Sequence, residues 1–141
     1  KANYAVTKEY YVNDAGAQVQ ALAQAAYWRY LQALGTAMTE EEFAATVPGG
    51  LQYGGNYLVP VGEALKERHG DALAAPGVHP ADPSLWLDPV RDFTVEAMMA
   101  AIRDDLAALG VRHEVFVSER ALIAEGKLEQ AEALLASKGL I

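Results

Sequence analysis

The chain has 141 residues, and its 11 basic against 19 acidic residues give a formal net charge of −8. Hydrophobic residues make up 52% and charged residues 21%, which is close to globular averages and excludes wholesale disorder. The acidic balance disfavours nucleic-acid binding by this chain alone, and the absence of cysteine excludes disulfide scaffolds and thiolate metal sites. No apolar run reaches the roughly 18 residues of a membrane span, so no membrane partner is expected.

The first elements are predicted to be a strand and a long helix. Aromatic and β-branched residues predict a strand over Glu9–Val12. Asn13–Gly16 has turn composition, and Asp14 is a candidate cap for the helix that follows. Apolar residues at three- and four-residue steps predict a helix over Ala17–Leu34, which Gly35 ends.

The middle of the chain is predicted to contain two shorter helices. Thr39 and Glu42 have the spacing of a capping box, and Pro48–Gly50 ends the helix that they begin. A further helix is predicted over Tyr57–His69. The prolines and glycine of Asp71–Leu87 predict an irregular connection.

The C-terminal part is predicted to contain a long helix over Pro89–Leu109, a strand over His113–Val117 and two further helices. Ser118 is the candidate N-cap of the first of these, and the last, Lys127–Ser137, is expected to pack its leucines. The fold class is therefore mostly α with a few strands (α/β). The two strands either pair within a helical domain or belong to a larger sheet.

Most candidate sites have a simpler structural interpretation. The three histidines lack metal-ligand spacing, so no metal site is predicted, and no serine lies in a nucleophile motif. The glycine pairs lack the strand and helix that a phosphate loop requires. Core packing is favoured over a base-stacking platform for the aromatic residues of the first helix, which are Tyr27, Trp28 and Tyr30.

Two positions point more strongly to a ligand. Asn13–Gly16 lies between a strand and a helix, where α/β proteins bind ligands. Glu119 directly follows the second strand, so its carboxylate is expected at the carboxyl edge of a sheet. Such a carboxylate suits a cation, and bidentate pairing favours a guanidinium over an ammonium. The simpler interpretation of Glu119 is a favourable interaction with the positive end of its own helix.

At these residues the sequence resembles a known family, the arginyl-tRNA synthetases of the bacterial type. The stretches that carry the resemblance are KEYYVNDAGAQV (8–19), YWRYLQALG (27–35), YGGNYLVPVGEAL (53–65), AIRDDLAALGVRHEVFVSE (101–119) and GKLEQAEALLASKGL (126–140). The first and fourth are the most specific, and together the stretches touch most of the chain.

The resemblance implies that residues 1–141 are a domain-sized internal fragment of a class I Rossmann-type catalytic domain that carries a helical insertion. Residues 1–35 would supply a strand and helix of the core, 36–88 the helical insertion with its irregular connection, and 89–141 a helix, the return strand and terminal helices. The two strands would then be neighbours in a parallel sheet.

Members of this family attach arginine to tRNA(Arg) in the cytoplasm, with ATP and Mg²⁺ and through an arginyl-adenylate. The His-x-Gly-His and Lys-Met-Ser-Lys-Ser types of signature are absent here, and the five lysines are dispersed. The stretch alone is therefore expected to be inert, with no catalytic residue and no bound ATP or Mg²⁺.

One substrate contact of the family has a clear match in this sequence: Glu119 corresponds to the glutamate at the family's arginine pocket. Asn13, Asp14 and Gly16 match the strand-to-helix turn, which is expected to be mainly structural and near the substrate. Arg120 stands where relatives carry serine, which changes the surroundings of the pocket.

Two alternatives to a synthetase fragment are a free-standing helical interaction module and an α-helical domain of unknown role. The first residue, Lys1, and the apolar last residues, Leu140 and Ile141, favour a segment of a longer protein. Such a segment would expose strand edges and is expected to self-associate through them.

Overall fold

The computed structural model describes residues 3–141, and Lys1 and Ala2 lie outside the described residues. The described chain is mostly helical with one two-stranded sheet, as predicted. The strands are β1 (Glu9–Val12) and β2 (Val115–Ser118). The helices are α1 (Ala17–Leu34), α2 (Glu40–Thr46), α3 (Val59–His69), α4 (Leu87–Ala108), α5 (Glu119–Ala124) and α6 (Lys127–Ser137), with 3₁₀ turns at Asn56–Leu58, Ala72–Ala74 and Pro83–Leu85.

Three predicted elements have bounds that differ from the structure by two residues or fewer. The helix predicted from Tyr57 begins with a 3₁₀ turn and becomes α-helical at Val59. Helix α4 begins at Leu87, and Pro89 lies in its first turn, where the missing N–H needs no partner. Strand β2 begins at Val115 rather than His113.

The chain divides into two compact units. The first contains described residues 3–16 together with 103–141, and the second contains Ala17–Ile102. This division follows contacts between residues. The family resemblance predicts a different division, into residues 1–35, 36–88 and 89–141. That division stays a prediction, as do the Rossmann origin and the helical insertion.

Aromatic residues of α1 form the centre of the second unit. Tyr27 stacks on Trp86 with ring centroids 4.0 Å apart, and Trp28 stacks on Phe43 at 5.1 Å. The Tyr27 hydroxyl donates to the Leu73 carbonyl at 2.7 Å. Because Tyr27, Trp28 and Tyr30 are buried, the predicted core packing is confirmed and a base-stacking platform is excluded.

Local signals determine how helices begin and end in this unit. Thr39 and Glu42 form the predicted capping box: the Thr39 hydroxyl accepts from the Glu42 N–H, and the Glu42 carboxylate accepts from the Thr39 N–H. Gly35 ends α1 with φ of +84°, a conformation that favours glycine. These contacts lie within three residues of each other, so sequence spacing predicts them well.

In the first unit, β1 and β2 pair in parallel, as predicted. The register aligns Glu9 with Val115 and Val12 with Ser118. Tyr10 and Phe116 lie opposite each other with ring centroids 5.7 Å apart, and the Arg103 guanidinium lies 4.2 Å from the Phe116 centroid. Pairing therefore joins two strands that are about a hundred residues apart in the chain.

The prediction that α6 packs its leucines is wrong for the described residues. Leu128, Leu134 and Leu135 are 49%, 55% and 39% exposed. The helix has the predicted bounds and contacts α5, but these leucines stay exposed to solvent. Among the described helices, none combines the length and apolarity needed to cross a membrane.

Candidate functional site

The candidate site lies at the carboxyl edge of the two-stranded sheet. Val12 and Ser118, the last residues of β1 and β2, are paired with each other. The turn of residues 13–16 and the first turn of α5 therefore begin side by side, because parallel strands end at the same edge. Glu119 is the first residue of α5 and is half-buried.

Asp14 joins the two chain segments that form this edge. Its side chain is buried, with 7% exposure. One carboxylate oxygen, Oδ2, accepts from the Ser118 hydroxyl at 2.6 Å, and the other, Oδ1, accepts from the Arg120 backbone N–H at 2.9 Å. The interpretation of Asp14 as a cap of α1 is thus corrected, since its acceptors serve the start of α5 instead.

Ser118 has the predicted capping role and a second role in addition. Its Oγ accepts from the Ala121 N–H at 3.0 Å, which caps α5. The same hydroxyl donates its proton to Asp14. One hydroxyl can do both because it has a donor and two acceptor positions.

Asp14 stays ionised at neutral pH. Burial alone would raise the pKa of this carboxyl. The hydrogen bonds from the Arg120 N–H and the Ser118 hydroxyl, followed by the charge of Arg120, outweigh burial and lower the pKa below its ordinary value. The edge of the sheet therefore carries a negative charge beside Glu119.

A neutral side chain of the turn after β1 holds the Glu119 carboxylate, and a tyrosine of β1 lies near it. The Asn13 amide, oriented with its nitrogen toward the carboxylate, donates to Glu119 Oε2 at 2.8 Å and to the Ala15 carbonyl at 3.2 Å. The pKa of Tyr11 is raised by partial desolvation of its hydroxyl and then by its interaction with the Glu119 charge. Glu119 is therefore held by contacts from the neighbouring strand segment.

Tyr11 is the site residue that sequence reasoning missed. The signal was present, because Tyr11 and Asn13 are two residues apart and extended chains place such side chains on the same side. The register pairs Tyr11 with Val117, which is in turn two residues before Glu119. Strand periodicity together with parallel pairing would have brought Tyr11 to Glu119.

Gly16 contributes through its backbone only. Its φ is +96°, a conformation that L residues rarely adopt, and an added Cβ would meet no atom within 4 Å. The Asn13 amide thus contacts the Glu119 carboxylate, whereas Asp14 binds the residues on either side of Glu119. Gly16 lets the chain turn from β1 into α1.

The arrangement suits a cationic ligand rather than a metal ion. Two carboxylates, Asp14 and Glu119, belong to one edge, and the donors that contact Glu119 are neutral. Within residues 3–141, no three histidine, aspartate or glutamate side chains converge as a metal site requires. No described residue is therefore assigned to a metal ion.

Two cavities of the described residues, one in each unit, are lined by side chains other than Glu119. A cavity of about 300 Å³ lies beside Arg103, Arg112, His113 and Phe116, and one of about 380 Å³ in the second unit lies beside Tyr27 and Leu31. Neither is lined by Glu119. Its carboxylate belongs to an open edge of the sheet.

Comparison with known proteins gives matches along the whole chain. The chain is 52% identical over 140 residues to an arginine–tRNA ligase of Gluconobacter oxydans, covering 99% of this chain and 23% of the relative. It is 49% identical over 140 residues to that of Cereibacter sphaeroides, covering 99% of this chain and 22% of the relative. A Bradyrhizobium arginine–tRNA ligase is 51% identical over 129 residues, covering 92% and 20%.

No family model matches the sequence, and no solved structure matches it. The chain spans about a fifth of the length of the curated relatives that it matches. Identity near 50% along almost the entire chain confirms the resemblance recognised from the motifs. The chain belongs to the arginine–tRNA ligase family, as a segment equivalent to about a fifth of its members' length.

Proposed function

We propose that this segment contributes Glu119 to the arginine site of an arginine–tRNA ligase. The observation that carries the proposal is the Glu119 carboxylate, which Asn13 holds at 2.8 Å at the carboxyl edge of a parallel sheet. The names of relatives that match 92–99% of the chain support this role over a free-standing helical interaction module.

The chemistry of Glu119 fits the guanidinium group of arginine. A guanidinium is planar and presents parallel N–H donors that match the two oxygens of a carboxylate. The Asn13 amide that contacts Glu119 is neutral, so this contact does not cancel the negative charge of the carboxylate. A guanidinium that enters this edge would find both a charge and a matching geometry.

The remaining parts of the proposed activity follow the family. The whole ligase would be a cytoplasmic class I enzyme that uses ATP with Mg²⁺ to form an arginyl-adenylate and then charges tRNA(Arg). The residues that handle ATP and Mg²⁺ would belong to other parts of the ligase. The 141 residues alone would then be inactive, and arginine-dependent pyrophosphate exchange by the purified chain above a buffer control would contradict this.

The test of Glu119 is kinetic and uses a full-length ligase that carries this segment. Removing a carboxylate that pairs with a desolvated cation costs roughly 2–5 kcal/mol, so Glu119→Gln should raise the KM for arginine about 30-fold or more. The KM for ATP should change little. Glu119→Asp should also bind arginine poorly, because the shorter side chain loses bidentate geometry.

The matched control is Glu125→Gln, since Glu125 is an exposed glutamate at the other end of α5. It should leave the KM for arginine unchanged. If Glu119 only interacts with the positive end of its helix, its loss would cost about 0.3–1 kcal/mol of stability. A folded Glu119→Gln enzyme with a normal KM for arginine would then exclude Glu119 from the site.

A further inference from the structure

We infer that Asn13 and Tyr11 are positioning residues that orient the Glu119 carboxylate toward a guanidinium, and that Asp14 fixes the backbone on which Glu119 is carried. This inference rests on the proposed role of Glu119 and adds the residues that would make its carboxylate selective. All four side chains belong to the first unit.

Asp14 fixes the main chain on both sides of Glu119. Its two oxygens bind the Ser118 hydroxyl at 2.6 Å and the Arg120 N–H at 2.9 Å, and these residues immediately flank Glu119. Because the Asp14 side chain is buried, water competes little for these hydrogen bonds. The start of α5 is thereby tied to the end of β1.

Asn13 and Tyr11 fix the side chain. An ionised carboxylate has about four acceptor positions. The Asn13 amide occupies one on Oε2, and the strand register places Tyr11 on the same side of the sheet edge. A bidentate guanidinium requires two of the remaining positions. The Asn13 amide is itself held by the Ala15 carbonyl, so it cannot rotate freely.

The position of Asn13 separates this role from ordinary turn chemistry. Asparagine and aspartate are both favoured in turns, and Asn13 does not have the positive φ that would favour asparagine. Aspartate would therefore suit the turn equally well. However, an aspartate at this position would place a second carboxylate beside Glu119 Oε2, where repulsion would turn the Glu119 side chain away.

The experiment measures arginine kinetics at neutral pH in a full-length ligase that carries this segment. Asn13→Asp should raise the KM for arginine at least about tenfold, and Asn13→Ala about three- to tenfold, because a hydrogen bond to a charged group is lost. The kcat and the KM for ATP should stay within about twofold of wild type. A structural defect in the turn would not confine its effect to arginine.

Tyr11→Phe is the second variant, since it removes one hydroxyl from a residue that is 52% exposed and keeps the ring. It should raise the KM for arginine about threefold without changing the thermal midpoint, and it decides the question if the Asn13 variants fail to fold. In a Glu119→Gln background, Asn13→Asp should add less than about a twofold effect.

The outcomes separate the inference from the proposed function. If Glu119→Gln raises the KM for arginine but Asn13→Asp and Tyr11→Phe do not, the positioning role is wrong and the role of Glu119 stands. An equal effect of Asn13→Asp with and without the Glu119 carboxylate also overturns the inference. If Glu119→Gln itself leaves that KM unchanged, both the proposed function and the inference fail.

Discussion

A methyl group added at Gly62 is expected to destabilise the helical unit of residues 17–102. Gly62 is buried in α3, where this helix lies against α1. An ideal Cβ at this position would collide with the Arg29 carbonyl carbon, and it would lie 2.6 Å from the Arg29 Cβ and 2.7 Å from the Arg29 oxygen. Because ordinary carbon contacts are about 3.5–4.0 Å, the helices would have to separate by roughly 1 Å.

Two opposing effects determine the size of the change. Alanine is a better helix former than glycine by about 1 kcal/mol, so propensity alone predicts that Gly62→Ala stabilises the unit. Overpacking costs about 1–3 kcal/mol or more, and here the obstacle includes backbone atoms that cannot rotate away. We expect a net loss of roughly 1–2 kcal/mol in the free energy of unfolding.

The assay is urea denaturation of the 141-residue chain followed by circular dichroism. The matched control is Gly54→Ala, because the nearest atom to a Cβ there is the flexible Glu40 Oε1 at 3.9 Å. The control should stay within about 0.5 kcal/mol of wild type. A Gly62→Ala chain as stable as wild type, with an unchanged denaturant slope, would refute the close approach of α3 to α1.

Three further predictions follow from other contacts. Asp14→Asn should lower the free energy of unfolding by about 1–3 kcal/mol at pH 7. Because folding lowers the pKa of Asp14, its stabilisation is present above the unfolded pKa of about 4 and is lost as pH falls through the folded pKa. Urea curves of the two proteins should therefore converge in acid, and a pH-independent difference would contradict this. Tyr27→Phe should cost about 1–2 kcal/mol in the same assay, because the buried Leu73 carbonyl loses its 2.7 Å donor, whereas Tyr4→Phe at an 83% exposed residue should cost nothing measurable. The isolated chain should self-associate through its open sheet edges and the exposed leucines of α6. Light scattering should show a mass that rises with concentration, and the rise should be smaller for Leu134→Glu. A monomer at all concentrations would contradict this.

Features fixed by neighbouring residues were predictable from the sequence. The capping box joins Thr39 to Glu42, and the Ser118 cap joins residues three apart, so spacing alone identifies both. The end of α1 at Gly35 was predictable because a helix often ends at a residue that tolerates positive φ. The helix bounds followed from the same signals and from apolar periodicity, which explains why α1 and α6 have their predicted limits.

Features fixed by distant residues were only partly predictable. Asp14 follows a strand and precedes a helix, so a local cap was the natural interpretation. Its actual partners, Ser118 and Arg120, are 104 and 106 residues away. Tyr11 reaches Glu119 only through the register of β1 on β2, which no local pattern specifies. The positions of Asn13 and Glu119 were predictable because each directly follows a strand.

The kind of contact around Glu119 distinguishes the two interpretations of this residue. A carboxylate that only stabilises the start of α5 needs no contact with another chain segment, because its partners are the free N–H groups of its own first turn. Glu119 instead accepts a hydrogen bond from Asn13 of the β1 segment, and its charge raises the pKa of the nearby Tyr11. Carboxylates elsewhere in the described chain, such as those of Glu96 and Asp88, pair with arginine side chains. In the proposed arginine site, the neutral Asn13 would orient the charge of Glu119 without neutralising it, which is the condition under which a carboxylate can bind a cationic substrate group.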